Sequence, residues 1–341
     1  MLLVLLCAGL GLATTGAVYQ AISCTRDRAS NPLPGKSIKV GDKSLHFYRL
    51  GEGGPAVILE SGMGGTWLDW NAIQSRIAQF TTVCSYDRLG LGWSDLTDRP
   101  QTREEVARRL HTLLSESEVQ GSYVLVGHSL GGVYVRAFAG LYADEVVGIV
   151  LIDSSHEQDS LRRTRPASQK QEIKKRRADL ELGALLEPFG VVRLPVPLAA
   201  DVAAMPLDSD QKRALLATWY RTGAIRSLLY EDQAAESELA RPQPPERLGA
   251  TPLLVLTAGR EGRGVRYSKQ ELPRQARGWL DLQDDLASLS SRSEHIIAEH
   301  SGHYIHHDEP DLVVDAIHKM VNAARAAPAT DGKDPLPRTE Q

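Results

Sequence analysis

The residues GHSLGG at positions 127–132 place one serine, Ser129, between glycines two positions away on either side. They follow the apolar run YVLV (123–126) and lead into GGVYVRAFAGLYADE (131–145), which has a helical pattern. A serine between a strand and a helix must sit on a sharp turn, where side chains two residues away would collide, and glycine removes them. The turn exposes the hydroxyl near a helix N-terminus, which favours a developing negative charge. The pattern predicts a nucleophile.

A serine nucleophile needs a base, and a histidine-rich run near the C-terminus supplies candidates. The run AEHSGHYIHHDEP (298–310) contains His300, His303, His306 and His307. We assign the base to His303, because it lies in a loop of small residues between a strand candidate and a helix with Pro310 in its first turn. A metal cluster is disfavoured, since no cysteine or second carboxylate site fits by spacing.

The third catalytic group must orient the imidazole, so it should be a carboxylate at the end of a strand. Asp153 follows the apolar run VVGIVLI (146–152), and Glu261 follows PLLVLTAG (252–259). Glu261 has arginines on both sides in GREGRG, whereas Asp153 is attached directly to a buried strand. We favour Asp153 and keep Glu261 as the alternative acid.

Acyl transfer also needs donors for an oxyanion, and the run LESGMGG (59–65) follows another strand candidate. A glycine-rich loop at that place can turn backbone N–H groups inward. We expect the backbone N–H groups of Met63 and Leu130 to form the oxyanion hole. A plain flexible turn at residues 62–65 is the alternative interpretation.

The elements that must position these residues alternate along the chain. Helix candidates cover residues 102–117, 131–145 and 309–327, and strand candidates cover residues 44–50, 56–60, 81–87, 123–127, 146–153, 252–258 and 295–299. The later strands are rich in Val, Ile and Leu at both alternating positions, as in parallel strands covered on both faces. This order predicts an α/β sheet with right-handed crossovers.

Residues 157–248 interrupt the alternation with a basic, helix-favouring stretch, which we interpret as a helical cap inserted into the α/β core. The predicted organisation is a membrane anchor or signal segment, a linker, a core in two parts around the cap, and a disordered Pro-rich tail. The anchor or signal segment covers residues 1–23 and the linker residues 24–36. The core covers residues 37–156 and 249–326, the cap residues 157–248, and the tail residues 327–341.

The composition excludes several classes of protein. The 341 residues carry a formal net charge of -4, so no basic excess indicates a nucleic-acid partner. Of the three cysteines, only Cys84 falls in the predicted core, which excludes an internal disulfide framework there. Neither the oligomeric state nor the redox compartment follows from these data.

The first nineteen residues, MLLVLLCAGLGLATTGAVY, carry no charged side chain and are about as long as the ~20 residues that cross a bilayer as a helix. We favour an uncleaved membrane anchor over a cleaved signal peptide followed by secretion, since a basic n-region and a small-x-small cleavage site are not evident. Arg26 and Arg28 favour a cytoplasmic catalytic domain, but an upstream basic segment would reverse that, so the side stays open.

Taken together, the motifs resemble those of the α/β-hydrolase fold family over about residues 36–325, apart from the insertion. The segments that carry the resemblance are SGMGG, SYDRLGLGWSD, GHSLGG, LIDSSHE and SGHYIHHDEP. More narrowly, the chain is similar to bacterial α/β hydrolases with an N-terminal membrane span. The resemblance implies an eight-stranded, mostly parallel sheet with a helical cap after strand six, and hydrolysis of an ester or related acyl bond without a cofactor.

The resemblance matches Ser129 to the nucleophile, His303 to the base, and the backbones of Met63 and Leu130 to the oxyanion hole. Many members place an Asp after strand seven, where this chain has only Glu261, and others take the acid from strand six, as Asp153 would. We expect a serine esterase or lipase-like enzyme that cleaves a small-molecule or lipid ester through an acyl-enzyme. Alternatives are a catalytically weak ligand-binding protein, an acyltransferase and a cofactor-free haloperoxidase-type enzyme. The sequence does not identify the substrate.

Overall fold

The structure is a computed structural model. It describes residues 1–31, 34–119, 121–162, 167–194, 202, 207–241, 245, 247–261, 265–266 and 274–326. The predicted tail, residues 327–341, lies outside the described residues.

An eight-stranded sheet forms the centre of the core. Its strands are β1 (Lys36–Val40), β2 (Lys43–Leu50), β3 (Ala56–Glu60), β4 (Val83–Tyr86), β5 (Tyr123–His128), β6 (Val146–Ile152), β7 (Leu253–Ala258) and β10 (Ser293–Ala298), and β8 (Arg260–Glu261) pairs separately with β9 (Val265–Arg266). The order is β1-β2-β4-β3-β5-β6-β7-β10. Within the eight strands described, β1 pairs with β2 and β2 with β4 in the antiparallel sense, and the other pairs are parallel. The eight-stranded, mostly parallel sheet is therefore confirmed.

Helices lie on both faces of this sheet, and others form the cap and the N-terminal segment. The described helices are α1 (Leu2–Ser30), α2 (Asn71–Ile77), α3 (Arg103–Glu116), α4 (Leu130–Leu141), α5 (Asp159–Arg162), α6 (Ala167–Leu186), α7 (Ser209–Trp219), α8 (Ala224–Glu238), α9 (Arg274–Ala287), α10 (Ile305–Asp308) and α11 (Pro310–Ala326). One apolar cluster joins the strands to α3, α4 and α9, and a second joins them to α2 and α11. Burial on both faces explains the continuous apolar runs of the parallel strands.

The sequence patterns located the parallel strands but missed the first strand of the sheet. Strand β1, KSIKV, is mostly exposed and carries polar residues at most positions. An edge strand of this kind has little apolar signal, because only Val40 is buried in it. The resemblance, not the residue pattern, supplied the eighth strand.

The segment between β6 and β7, interpreted as the cap, is helical in its described parts. Helices α5 to α8 lie within it, and α6 packs along α8. Arg177 of α6 donates two hydrogen bonds to Asp232 of α8, at 2.9 and 2.5 Å. Residues 163–166, 195–201, 203–206, 242–244 and 246 of this segment lie outside the described residues.

Helix α1 is long and apolar enough to cross a membrane, which suits either an anchor or a signal sequence. It runs to Ser30, so the first part of the predicted linker is helical. The physical reason is that residues 17–31 contain neither Gly nor Pro, and nothing in the chain breaks the helix before Asn31.

Candidate active site

Ser129 occupies the turn that joins β5 to α4. Its backbone has φ 52° and ψ −120°, a strained conformation for a residue with a side chain. The turn is tight, because a Cβ on Gly127 would lie 2.7 Å from the Cα of Gly132, and one on Gly131 would lie 2.3 Å from the carbonyl oxygen of Glu60. Ser129 itself is partly exposed. The elements predicted around the nucleophile are thus present, with the hydroxyl at the carboxyl edge of the sheet.

Asp153 and His303, 150 residues apart in the chain, meet at the same edge. His303 Nδ1 lies 2.7 Å from Asp153 Oδ2. Asp153 directly follows β6 and is buried, whereas the His303 side chain is 42% exposed. A carboxylate on Nδ1 keeps the proton on that nitrogen, so the opposite nitrogen, Nε2, is an acceptor.

The second oxygen of Asp153 is also occupied. Oδ1 accepts hydrogen bonds from the backbone N–H of Ala258 at 3.0 Å and from Nε1–H of Trp279 at 2.8 Å. Trp279 belongs to α9, and no sequence signal marked it as part of the site. Three donors thus fix the orientation of one carboxylate. The backbone of Glu261, the alternative acid, lies in β8, and its side chain is outside the described residues.

His128, the residue before the nucleophile, connects the serine turn to the histidine loop. Its Nε2 lies 3.0 Å from the carbonyl oxygen of His303, and the two rings are 4.7 Å apart. No hydrogen bond joins Ser129 Oγ to His303 within the described part of the chain. In enzymes without substrate such contacts are often loose and tighten only in the reactive complex. His128 therefore connects the histidine loop to the serine turn, and no hydrogen bond between Ser129 and His303 is found among the described residues.

The glycine-rich loop after β3 passes directly over the serine turn. A Cβ on Gly62 would lie 3.2 Å from the Cβ of Ser129. Leu130 is the first residue of α4, a position whose N–H has no acceptor within the helix. Among the backbone hydrogen bonds of the described residues, none has the N–H of Met63 or Leu130 as its donor. Among the described residues, two N–H groups without a backbone acceptor thus lie where this loop meets the start of α4.

Arg88 holds this glycine-rich loop from behind. Its guanidinium donates to the carbonyl oxygens of Ser61 at 2.8 Å and Gly62 at 2.6 Å. The C=O and N–H of a trans peptide unit point in opposite directions, so the bond to Gly62 turns the Met63 N–H away from Arg88. Arg88 belongs to the segment SYDRLGLGWSD, but the sequence does not identify the carbonyl groups that it binds.

Two carboxylates pair with Arg88, one of them buried and the other partly buried. Glu60 Oε1 lies 2.5 Å from Nη1, and Glu231 of the cap accepts from Nε at 2.8 Å. Burial, opposed by Arg88, raises the pKa of Glu60. The other oxygen of Glu231 accepts the N–H of Gly64 at 2.5 Å. One cap side chain therefore contacts both the arginine and the loop.

The remaining histidines of the C-terminal run lie at different places. His306 is fully buried against Trp70, with ring centroids 4.8 Å apart, and neither ring nitrogen has a partner. His307 Nε2 lies 2.9 Å from the carbonyl oxygen of Asp69, and His300 is exposed. Burial and the neighbouring His303 lower the pKa of His128, and burial and His128 lower that of His306. Both rings are therefore neutral near pH 7.

The described residues contain no group of three or more His, Cys, Asp or Glu side chains arranged to hold a metal ion. The rings of His306 and His307 nevertheless pack together, with centroids 4.3 Å apart, and His306 also packs on His128 at 4.6 Å. The members of the run differ in burial and in their hydrogen-bond partners.

Comparison with known proteins agrees with this architecture. Residues 57–316 match the model of the Alpha/beta hydrolase family. The protein YqjL of Bacillus subtilis is 25% identical over 286 residues, which cover 82% of this chain and 90% of that protein. An esterase from Thermogutta terrifontis superposes with a TM-score of 0.57 at 19% identity, covering 85% of this chain and 98% of the other.

A second solved structure superposes more closely. A putative epoxide hydrolase from Pseudomonas aeruginosa, in a mutant form, gives a TM-score of 0.65 at 18% identity, covering 85% of this chain and 96% of the other. At such identities these two superpositions show a shared fold alone.

Proposed function

The chain belongs to the alpha/beta hydrolase family, and within it we propose that this protein is a serine hydrolase that cleaves a carboxylic ester or related acyl bond. The observation that carries the proposal is the His303–Asp153 pair beside the strained turn at Ser129. Asp153 is the acid in this proposal, because its two oxygens are taken by His303, Ala258 and Trp279.

The proposed reaction begins with attack of Ser129 Oγ on the acyl carbon. His303 Nε2 takes the hydroxyl proton and returns it to the leaving group, and then activates water for deacylation. Asp153 stabilises the imidazolium that forms. The N–H groups of Met63 and Leu130 receive the oxyanion, since Arg88 turns the first of them away from itself and the second begins a helix.

A serine at this position argues against the epoxide chemistry of the Pseudomonas neighbour. Epoxide opening on this fold goes through an alkyl-ester intermediate, which needs a carboxylate nucleophile, and Ser129 cannot form one. Acyl transfer to an alcohol would use the same acyl-enzyme. A ligand-binding protein with little turnover is the second candidate from a different class.

Labelling of the full chain in detergent with a fluorophosphonate probe tests the proposal. We expect one label on the wild type and none on Ser129→Ala, together with a loss of ester turnover of at least about 10³-fold. Alanine suits the tight turn, so the thermal midpoint should change little. Ser155→Ala, a partly exposed serine next to the same turn, is the matched control and should label normally.

Two results would contradict the proposal. Labelling of Ser129→Ala would move the nucleophile elsewhere, and a wild type that neither labels nor turns over esters would favour the ligand-binding protein. Adding an acceptor alcohol to the active enzyme separates acyl transfer from hydrolysis through the ester product.

A further inference from the structure

The C-terminal half of α1 is fastened to the cap by buried polar contacts. Gln20, only 1% exposed, donates from Nε2 to the carbonyl oxygen of Tyr220 at 2.7 Å and to Thr222 Oγ1 at 3.2 Å. Its Oε1 accepts from Nε of Arg193 at 2.7 Å. A buried amide with both ends satisfied by the cap ties the helix to the folded domain.

Further contacts extend this attachment along the helix. Arg193 pairs with Asp27 at 2.7 Å, and the Cys24 thiol lies 3.4 Å from the carbonyl oxygen of Tyr220. One turn before Gln20, a Cβ on Gly16 would lie 2.5 Å from the carbonyl oxygen of Phe189. The helix and residues 189–193 of the cap are therefore in direct contact from Gly16 to Asp27.

The N-terminal half of α1 has no such partners. Its large apolar side chains between Met1 and Leu12 are 61–100% exposed. Nineteen helical residues extend about 28 Å, which is close to the ~30 Å hydrocarbon core of a bilayer. If residues 1–19 cross a membrane, the contact between Gly16 and Phe189 falls within about one helical turn of the hydrocarbon boundary.

The cap surface beside this contact is itself apolar. Five side chains on it are each 37–65% exposed: Leu182, Leu185, Phe189, Val191 and Leu194. Leu182 and Leu185 continue an exposed line on α6 that includes Lys175 and Ala178, at the i, i+3, i+7 and i+10 spacing of one helix face. We call these five residues the apolar cap face. A contiguous exposed patch of this kind marks a surface that contacts something apolar.

We propose that the apolar cap face rests on the bilayer that α1 crosses, at the boundary between headgroups and acyl chains. The argument is continuity, because Phe189 belongs to this face and also touches the helix at Gly16. The cap, and the sheet edge beneath it, would then lie beside the lipid phase. This docking is independent of the reaction proposed above.

The positive and negative side chains of α6 largely balance. We therefore expect apolar contacts, and not attraction to anionic lipid, to hold the apolar cap face on the bilayer. Among the exposed charged side chains of α6, Glu172, Asp179 and Glu181 offset Lys170, Lys174 and Lys175, and Arg176 pairs with Asp232 of α8. A bound anionic lipid would therefore gain little from this face. We expect neutral phosphatidylcholine vesicles to be sufficient.

Spin-label accessibility in the full chain tests the proposal. The background is Cys7→Ala with Cys24→Ser, and Cys84 is buried and left unchanged. Leu185→Cys carries a nitroxide in phosphatidylcholine vesicles, and Leu141→Cys is the matched control, an exposed leucine at the far end of α4. We expect the label at 185 to collide several-fold more with oxygen than with a water-soluble nickel chelate, and the label at 141 to show the reverse preference.

Equal preferences at 185 and 141 would overturn the proposal, as would an intact mass showing that the membrane-expressed protein begins after Gln20. A label at Leu182→Cys repeats the measurement at a second exposed position, so one perturbed variant cannot decide the outcome. In the double variant Gln20→Ala, Arg193→Ala, the contacts of Gln20 with Tyr220 and Thr222 and those of Arg193 with Gln20 and Asp27 are all lost. The protein should still float with the vesicles, but the label at 185 should move into water, and an unchanged label would contradict the role of the attachment.

Discussion

Strands β3, β5 and β6 of the core bury nearly all their side chains, whereas the cap helix α8 contacts the core through charged side chains as well as through buried Ala235. Glu231 of α8 binds Arg88, and Glu238 accepts the N–H of Arg103 at 3.3 Å. Ahead of α8, Arg221 donates to the carbonyl oxygens of Gly92 and Ser94. Apolar burial holds the sheet, and the cap is held both by apolar clusters, such as Leu215 of α7 with Leu68, and by directional polar bonds.

This difference between core and cap shows how each region positions the residues of the active site. Ser129 and Asp153 are held where buried strands end, so their positions depend on the packing of the whole sheet. The cap contributes through single bonds, each of which one substitution removes. Changes in the core should therefore abolish chemistry, and changes in the cap should adjust it.

The largest effect is expected from Asp153→Asn in the core. Oδ1 accepts from Ala258 and Trp279, so the amide oxygen must occupy that place and the NH₂ group must face His303 Nδ1. An NH₂ group facing Nδ1 makes that nitrogen an acceptor and puts the imidazole proton on Nε2. Nε2 then cannot accept the proton of Ser129, so kcat should fall by about 10³–10⁴-fold. Steady-state ester hydrolysis measures the loss.

Glu261→Gln is the matched control for that experiment, because it makes the same chemical change in the other candidate acid. We expect it to keep activity within a few-fold of the wild type. A larger loss of activity in Glu261→Gln than in Asp153→Asn would assign the acid to Glu261. The acid would then not be the residue that follows β6.

A smaller effect is expected from Glu231→Gln in the cap. The neutral side chain cannot satisfy both Arg88 and the N–H of Gly64 as the carboxylate does, so the glycine-rich loop should shift. We expect kcat to fall roughly 10-fold, since small misplacements in an active site are costly, while fluorophosphonate labelling remains stoichiometric. Glu236→Gln, on the same helix but paired only with Arg177 at the surface, should have no effect. Equal losses in the two variants would remove Glu231 from the positioning of the loop.

The smallest effect concerns stability in the core and depends on pH. Burial keeps His306 neutral in the folded protein, while the unfolded chain binds a proton below about pH 6.5, so the free energy of unfolding falls by up to about 1.4 kcal/mol per pH unit below that value. His306→Leu removes this contribution. Urea unfolding at pH 5.5 and 8 should show the variant gaining about 1 kcal/mol relative to wild type at the lower pH.

The same substitution at exposed His318 controls for the change of residue type. A relative stability of His306→Leu that does not vary between the two pH values would show that the ring takes up a proton in the folded state.

Local patterns were enough to predict much of the fold. The glycines around Ser129 indicate one sharp turn, and the apolar runs of β3, β5, β6 and β7 indicate buried parallel strands, because each signal depends on neighbouring residues only. The edge strand β1 and helix α9 were missed. Strand β1 has a weak local signal because it is mostly exposed, whereas α9 has a clear amphipathic pattern that the interpretation of the sequence did not include.

The candidate site divides in the same way. The serine, the histidine loop and a choice of two acids follow from residue type and position at the ends of strands. Trp279 contacts a residue that lies 126 positions away in the chain. Glu231 contacts one at a separation of 167 positions, and Arg88 one at a separation of 26 positions. No local pattern encodes such partners.

The sequence by itself determined the strained turn at Ser129, the α/β class and an apolar N-terminal segment, because each is a property of adjacent residues. Only the tertiary structure decided that Asp153 lies against His303, that one cap carboxylate reaches the glycine-rich loop, and that α1 is fastened to the cap. Each of these requires atoms from distant parts of the chain to come within about 3 Å of one another, and hydrogen bonds act only over such distances.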